Sequence, residues 1–192
     1  MKQTTSNRTN HTGQPVTYAA FLRGINLGGH KQIKMDELKK LFESMGFHGV
    51  RTILNSGNVL FQGGGAPTKA LVDRIEKEIE EAFGHKVAVI LRTIPEVQEM
   101  ADSNPFKKVK VTPETRLYVT FLSEKPAANL KLPYESHEKD FKILSIQDGA
   151  VFSVVTLMPK RGTSEAMADL EKQFGKRITT RNWNTVSKML KG

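Results

Sequence analysis

The spacing of apolar side chains changes period within the first half of the chain. Residues 16–23 alternate in polarity and are rich in apolar positions, which is typical of a mostly buried strand. Residues 35–45 carry apolar side chains at helical spacing instead, and Gly46 ends that helix. The apolar positions of the helix are Leu38, Leu41, Phe42 and Met45. The pattern therefore predicts a strand followed by a helix.

A hairpin, a second helix and a short strand complete the first half. Residues 50–55 and 58–62 are predicted to be two strands around Gly57, where glycine supplies the positive φ of a tight turn. Thr68 is the expected N-cap of a helix, and residues 87–91 form a short apolar strand. The apolar face of that helix consists of Leu71, Ile75, Ile79 and Phe83. The predicted order is βαββαβ.

The second half is predicted to repeat this order after a connecting helix at residues 94–101. It consists of a strand at 116–122, a hairpin of 141–146 and 151–157, a helix at 164–174, a strand at 178–180 and a helix from Asn182. The counterpart of the first helix falls in residues 123–138, where Pro126 and Pro133 predict a short and poorly formed element. This half is therefore predicted to be a degraded copy.

Four sets of matching residues indicate an internal duplication. They pair Tyr18, Phe21 and Leu22 with Tyr118, Phe121 and Leu122, Gly57 with Gly149, Phe83-Gly84 with Phe174-Gly175, and Val97 and Met100 with Val186 and Met189. The offsets fall from 100 through 92 and 91 to 89, as small loop deletions require. The alternative is that strands and helices reuse a few apolar residues, but four anchors in the same order favour duplication.

The repeated order predicts an α+β fold in which a βαββαβ ferredoxin-like sandwich is duplicated in tandem. Residues 16–93 form the first unit, residues 94–114 a connecting helix and loop, and residues 115–192 the second unit with a C-terminal helix. Residues 1–15 are polar and lack the apolar segment of a signal peptide, so they are predicted to be a disordered leader.

Composition excludes several kinds of chemistry. The chain of 192 residues has no cysteine, which rules out disulfides, thiolate metal sites and cysteine nucleophiles. Its five histidines are too scattered for two imidazoles to reach one ion, so no metal site is predicted. No other cofactor is predicted either. No apolar run approaches the length of a membrane span. We therefore expect a soluble cytoplasmic protein without a membrane partner.

The net charge of +9 is concentrated near the C-terminus. From Lys160 onward, eight basic and three acidic residues leave an excess of +5. Such a surface attracts phosphates, and nucleic acid is the commonest reason for it. The alternative, a protein that is merely basic, is equally well supported, because aromatics are only 7% and no aromatic RNA-recognition strand is present.

Polar residues follow the first strand and fill the first hairpin turn. In a βαββαβ unit these two places lie at the same edge of the sheet, so Arg23, Asn26, Ser56 and Asn58 are expected to converge. Four such side chains would hold an anion or an amide-rich ligand. The alternative for Ser56 is an ordinary turn residue, since its surroundings do not form a nucleophile elbow.

The segment before the last helix has two interpretations. In the first, Asn182 caps the helix while Trp183 packs in the core. In the second, Arg181 clamps a carboxylate or phosphate bidentately with Asn182 and Asn184 beside it. Capping accounts for Asn182 and packing accounts for Trp183, but these two roles explain Arg181 less well.

Three segments resemble a known family. They are residues 22–29 (LRGINLGG), 56–59 (SGNV) and 180–186 (TRNWNTV), and they are similar to the family catalogued as domain of unknown function 1697. The similarity extends from Tyr18 to Leu190. It implies a bacterial cytoplasmic protein built from two ferredoxin-like parts. No biochemical activity is implied by the resemblance.

Two classes of function remain. The favoured one is a non-catalytic binding module for an anionic partner, either nucleic acid or a phosphorylated metabolite. The other is an enzyme that acts on a small polar or anionic substrate at the edge formed by Arg23, Asn26, Ser56 and Asn58. The sequence shows no general base near those loops, which counts against the enzyme without deciding the question.

Overall fold

The computed structural model describes residues 15–29, 31–64, 69–124, 130–159 and 162–191. The chain divides into two compact units, Met1–Pro95 and Glu96–Gly192. The described residues contain five helices and two antiparallel sheets. The predicted leader except for Pro15, the N-cap at Thr68, and Pro126 lie outside the described residues.

The first unit follows the predicted order of elements. Its bounds are β1 (Val16–Leu22), α1 (Met35–Ser44), β2 (His48–Thr52), β3 (Asn58–Gly63), α2 (Lys69–Phe83) and β4 (Val89–Thr93). The sheet has the order β2-β3-β1-β4, with every neighbouring pair antiparallel. Strand β4 begins two residues later than predicted, at Val89, which aligns with Leu22 at the end of β1.

An aromatic cluster forms the core of the first unit. The ring of Phe61 lies 5.3 Å from that of Tyr18, 5.4 Å from Phe42 and 4.4 Å from Phe47. Helices α1 and α2 add Leu38, Phe42, Ile75 and Ile79 to the same cluster of buried residues. Burying each large apolar side chain stabilises the fold by about 1.5–3 kcal/mol, so this face of the sheet is held firmly under its helices.

The second unit contains a larger sheet. Its elements are α3 (Ile94–Asp102), which begins at the end of the first unit, β5 (Thr115–Leu122), β6 (Tyr134–Glu135), β7 (Phe141–Gln147), β8 (Ala150–Thr156), α4 (Ser164–Phe174), β9 (Ile178–Asn182) and α5 (Trp183–Lys191). The strand order is β6-β7-β8-β5-β9, with every neighbouring pair antiparallel. Strand β9 is longer than predicted because its ladder with β5 continues to Asn182, so the last helix begins one residue later.

The described residues between β5 and β7 hold a strand rather than a helix. Among its described residues, 123–124 and 130–138, the regular element is β6, which pairs with β7 through Tyr134 and Ile143. The second unit therefore has an extra edge strand where the first unit has α1. The expected short helix is not found among the described residues of this stretch, where Tyr134 and Glu135 instead pair with β7 at the edge of the sheet.

Both faces of the second sheet are covered by residues of its own unit. On one face, Leu170 of α4 belongs to the buried cluster that includes Ile143 and Val151. On the other, the ring of Trp183 lies 5.3 Å from Phe106 and 6.0 Å from Phe152. Both faces of the sheet therefore carry packed apolar side chains, which favours a rigid platform.

Candidate functional site

Asn26 joins the loop after β1 to the first hairpin turn. Its Nδ2 donates to Ile33 O and to Asn55 O, both at 3.0 Å, and its Oδ1 accepts from the Ile33 amide at 2.8 Å. The residue has a φ of 55°, a left-handed conformation that asparagine tolerates better than most residues do. The predicted meeting of this loop with the turn therefore occurs, and the Asn26 side chain is what holds the two together.

The neighbouring polar residues of the turn are also bonded to one another. Asn58 is fully buried, and its Nδ2 donates to Ile53 O at 2.8 Å and to Ser56 Oγ at 3.0 Å. Its backbone oxygen accepts from the Ile53 amide. The side-chain amides of Asn26 and Asn58 thus hold the loop and the turn in place through hydrogen bonds. Binding of a ligand by Arg23, Asn26, Ser56 and Asn58 stays a prediction.

Arg181 lies in the interior. Only 7% of the residue is exposed, and its Nη1 donates to Thr179 Oγ1 at 2.8 Å and to Thr180 O at 2.9 Å. Burial lowers the pKa of the guanidinium to about 10, because desolvation disfavours the charged form. The side chain is therefore engaged with its own strand, and the anion clamp stays a prediction.

The residues after Arg181 begin the last helix. The Asn182 Oδ1 accepts a hydrogen bond from the Asn184 amide at 2.9 Å, which satisfies one of the unpaired donors of the first turn of α5. Trp183 packs against Phe106 and Phe152 as described above. The capping and packing interpretation of Asn182 and Trp183 is confirmed, and Asn184 is exposed.

A cavity of about 630 Å³ lies in the second unit and was not predicted from the sequence. It is bounded by the segment after α3, by the region of β6 and its following turn, and by strands β7 and β8. Its lining consists of Ser103, Asn104, Pro105, Lys107, Lys108, Val109, Pro133, Glu135, Lys139, Asp140, Phe141, Lys142, Leu144, Ser145, Gln147, Val154 and Thr156. All of these residues belong to the second unit.

Irregular backbone occurs at three points around this cavity. Asn104 and Lys139 have φ values of 47° and 57°, a region that asparagine enters at some cost and lysine rarely enters. The register of β7 against β8 shifts between Ile143 and Ser145, so Leu144 is the extra residue of a β-bulge. Such features cost free energy and concentrate at functional sites.

The turn that carries Lys139 is braced by hydrogen bonds. Ser136 Oγ donates to Asp140 Oδ1 at 2.8 Å and accepts from the Phe141 amide at 3.1 Å. The Lys139 amide donates to Ser136 O, and the Thr156 amide donates to Asp140 O. Lys139 is therefore held at the cavity by a closed turn that is tied to β8.

Positive charge predominates around the cavity. Four lysines and two carboxylates line it. The Nζ of Lys142 lies 3.8 Å from Glu135 Oε1. Asp140 is 93% buried, and its Oδ1 accepts a hydrogen bond from Ser136 Oγ. Lys107, Lys108 and Lys139 have no ion-pair partner among the described residues. Three lysines without an ion-pair partner among the described residues therefore line the cavity.

The sequence held only a partial signal of this site. Adjacent lysines at 107 and 108 stand in the loop that bears Pro105, and a further basic residue follows at Lys110. Nothing local connects that loop with Lys139, because the two lie far apart in the chain and meet only through the sheet. No site was therefore predicted at this cavity from the sequence.

Two features are absent from the part of the chain that the structure describes. Within those residues, no cluster of three or more histidine, aspartate or glutamate side chains is placed to bind a metal ion. No helix among them is long and apolar enough to cross a membrane.

Comparison with known proteins identifies a family but not an activity. A solved structure of a conserved bacterial protein from Streptococcus pneumoniae is similar, with a TM-score of 0.64 and 18% identity over 92% of this chain and 98% of that chain. At this identity the similarity shows the fold alone. No curated protein matches the sequence. The sequence model described as protein of unknown function DUF1697 matches residues 16–152, which confirms the resemblance, and the chain belongs to this family of unknown function.

Proposed function

We propose that the chain is a cytoplasmic, non-catalytic module that binds a small anionic metabolite in the cavity of its second unit. The observation that carries the proposal is the placement of Lys107, Lys108 and Lys139 around one cavity without an ion-pair partner among the described residues. A ligand phosphate or carboxylate would supply the missing negative charge. The phosphorylated metabolite is thus favoured over nucleic acid as the anionic partner.

The energetics suit a ligand of modest size. A hydrogen bond that involves a charged group contributes about 1.5–3 kcal/mol, so two or three ammonium contacts would contribute roughly 3–9 kcal/mol before the cost of association is subtracted. The cavity of about 630 Å³ lies within the range of roughly 300–1,000 Å³ that is usual for small-molecule sites.

The backbone around the cavity supports the same proposal. Left-handed conformations such as those of Asn104 and Lys139 cost about 1–3 kcal/mol each and persist only where the surrounding structure enforces them. Here backbone hydrogen bonds from Asn104 to Ala101 O and from Lys139 to Ser136 O enforce them. A pre-formed site loses less entropy when a ligand binds.

Nucleic acid is less well supported. Proteins that bind single strands use accessible aromatic rings as stacking platforms. The only tryptophan of the chain, Trp183, has its ring packed against Phe106 and Phe152. Arg181, which contributes to the basic excess of the C-terminal region, is buried.

Isothermal titration calorimetry with inorganic phosphate, ribose 5-phosphate and citrate tests the proposal. We expect at least one of these anions to bind the full chain, and the paired change Lys107→Gln and Lys108→Gln to weaken it by tenfold or more. Lys110→Gln is the matched control, because Lys110 is exposed in the same loop but does not line the cavity. Absence of anion binding, or equal losses in both variants, would contradict the proposal.

The polar end of the first unit is the second candidate site. The hydrogen bond from Asn26 to Asn55 brings the loop after β1 against the hairpin turn, so Arg23 and Ser56 are the side chains we propose for ligand contact there. The enzyme alternative at Arg23, Asn26, Ser56 and Asn58 is weaker, because the amides of Asn26 and Asn58 already bond the backbone.

We also propose that the two units are tandem copies of a ferredoxin-like βαββαβ sandwich. The Leu22 amide donates to Gly57 O at 2.8 Å, and the Leu122 amide donates to Gly149 O at 2.9 Å. The orders β2-β3-β1-β4 and β7-β8-β5-β9 correspond strand by strand. An experimental structure in which the two halves do not superpose at these anchors would overturn the duplication.

A further inference from the structure

Three connecting segments meet at one end of the first unit, which we call the loop end. Its described residues belong to 23–34 after β1, to 53–57 between β2 and β3, and to 84–88 before β4. Asn26 Nδ2 donates to Asn55 O at 3.0 Å and joins the first segment to the second. Lys31 Nζ donates to Lys86 O at 2.8 Å and joins the first to the third. The loop end is therefore a tied surface rather than three separate loops.

Two leucines are exposed at the loop end. Leu27 is 64% exposed and Leu54 is 51% exposed. They are the chain neighbours of Asn26 and Asn55, whose hydrogen bond joins the loop to the hairpin turn, so the two leucines stand on adjoining segments. Among the described residues of the first unit, no other large hydrophobic residue is exposed. The exposed leucines of this unit are thus concentrated at one end.

Leu54 also has an unfavourable backbone conformation. Its φ is 58°, a left-handed value that is an outlier for a bulky side chain and is easier for asparagine or glycine. The turn enforces this value, because the Ile53 amide donates to Asn58 O at 2.9 Å and Asn58 Nδ2 donates to Ile53 O at 2.8 Å. A strained backbone and an exposed apolar side chain both disfavour leucine here. Such strain concentrates where a protein holds another molecule.

The charges around the two leucines are nearly balanced. Segments 24–29 and 53–57 contain no charged residue. The charged residues of the rest of the loop end, of the adjoining helix turns and of the end of β2 are Arg23, Lys31, Lys34, Arg51, Lys86, Asp36, Glu37, Glu80 and Glu81. Two of these lysines lie near carboxylates, Lys34 at 3.5 Å from Glu37 and Lys86 at 3.6 Å from Glu80. An uncharged apolar centre with a polar rim is the usual arrangement of a protein interface.

We propose that a second copy of the chain docks on the loop end, with Leu27 and Leu54 at the centre of a two-fold symmetric contact. In such a contact the same surface meets itself, so a surface with one sign of charge would repel its copy. The loop end avoids that repulsion, although the chain as a whole carries a net charge of +9. Its balanced charge also gives no advantage to a strongly acidic or strongly basic partner.

The dimer is expected to be weak. Two leucines cover much less than the roughly 800 Å² that each partner buries in a standard protein interface. The dissociation constant should therefore lie in the micromolar range or above. This inference goes beyond the proposed anion-binding function and does not depend on the cavity of the second unit.

Sedimentation velocity of the full chain over a range of concentrations tests the proposal. We expect a reversible equilibrium between monomer and dimer that persists when salt is raised, because apolar contact rather than net charge holds the dimer. The paired change Leu27→Ser and Leu54→Asn should weaken dimerisation tenfold or more. Val111→Ser is the matched control and should dimerise as the unaltered chain does, because Val111 is 63% exposed but belongs to the second unit.

Melting temperatures separate docking from folding. Asparagine adopts a left-handed conformation more readily than leucine does. At a concentration where the chain is monomeric, Leu54→Asn should therefore leave the melting temperature unchanged or raise it by roughly 2–4 °C. A fall of several degrees would mean that the fold itself requires Leu54, and its role in docking would be overturned.

The remaining outcomes decide the occupant. A chain that is monomeric at every concentration, or a dimer that the paired change does not weaken, would overturn the proposal. So would a dimer that Val111→Ser weakens equally. If the chain is monomeric but binds vesicles of phosphatidylcholine and phosphatidylglycerol through the two leucines, the occupant is a lipid surface instead. None of these results bears on the anion site of the second unit, which calorimetry tests separately.

Discussion

Gly57 lies in the first hairpin turn, at a position that requires glycine. Its φ is 72°, and its carbonyl oxygen accepts a hydrogen bond from the Leu22 amide at 2.8 Å. A Cβ at this position would lie 2.8 Å from Ile25 Cδ1 and 2.9 Å from Leu22 Cβ. The turn therefore needs glycine for two separate reasons, its left-handed backbone and the close approach of two buried side chains.

We predict that Gly57→Ala lowers the free energy of unfolding by roughly 2–5 kcal/mol, since the left-handed conformation costs about 1–2 kcal/mol and overpacking about 1–3 kcal/mol. Gly84→Ala is the matched control, because Gly84 has a φ of 69° but no atom within 4 Å of its added Cβ. The control should lose only the backbone share, about 1–2 kcal/mol. Denaturation in urea measures both losses, and equal values would show that packing around Gly57 relaxes freely.

Helix α5 depends on the residue that ends the preceding strand. Asn182 takes part in the ladder of β9 with β5 through its backbone, and its side chain caps the helix that follows. A residue with both roles leaves no loop between strand and helix. The side-chain role alone is removed by substitution, because the backbone pairing with Tyr118 is independent of residue type.

We predict that Asn182→Ala lowers the free energy of unfolding by about 1 kcal/mol, the usual cost of losing an N-cap acceptor. Asn182→Asp keeps an oxygen for the Asn184 amide and adds a favourable charge at the helix N-terminus, so its loss should be no more than a few tenths of a kcal/mol. Chemical denaturation distinguishes the two. A similar loss in both variants would mean that the cap contributes little and that another contact of Asn182 is responsible.

The charge of the whole molecule supports weak association with any polyanion. A net charge of +9 creates a long-range field, but a field alone gives neither a defined site nor resistance to salt. In the first unit, Lys39 lies 3.5 Å from Glu43, which reduces the contribution of one such charge. Under the proposed function, nucleic acid is an adventitious partner.

We predict that binding to single-stranded RNA falls steeply with salt, because each neutralised phosphate releases a counterion, and is lost near physiological ionic strength. The paired change Lys176→Ala and Arg177→Ala should weaken binding no more than Lys39→Ala and Lys40→Ala. Fluorescence anisotropy at several salt concentrations measures this. If affinity persists at physiological salt and the C-terminal pair costs tenfold more, nucleic acid replaces the metabolite as the partner.

Local signals account for the elements that were predicted well. The helix at 164–174 was predicted with the bounds that α4 has, because helical spacing is read along one segment. The turn at Gly57 was also predicted from a local signal, because glycine itself tolerates a positive φ. Strand β4 was misplaced by two residues because its start depends on Arg23 and Leu22 of another strand.

The sequence predicted that the loop after β1 meets the first hairpin turn, but it did not predict the cavity of the second unit. The meeting of Asn26 with the hairpin turn followed from the order of strands, but the use of its amide as an internal tie did not, because hydrogen-bond partners depend on exact geometry. The burial of Arg181 was likewise beyond the reach of pattern, since a charged residue in a short strand is normally expected at the surface.

The sequence by itself determined the order of strands and helices in the first unit, the glycine turn, the cap of the last helix and the membership of the family. Each of these depends on neighbouring residues or on motifs. Only the tertiary structure decided where the cavity lies, because its walls combine residues 103–109 with residues 133–156 across a paired sheet. The bulge at Leu144 arises from that pairing, and interactions between distant segments leave no periodic trace in the chain.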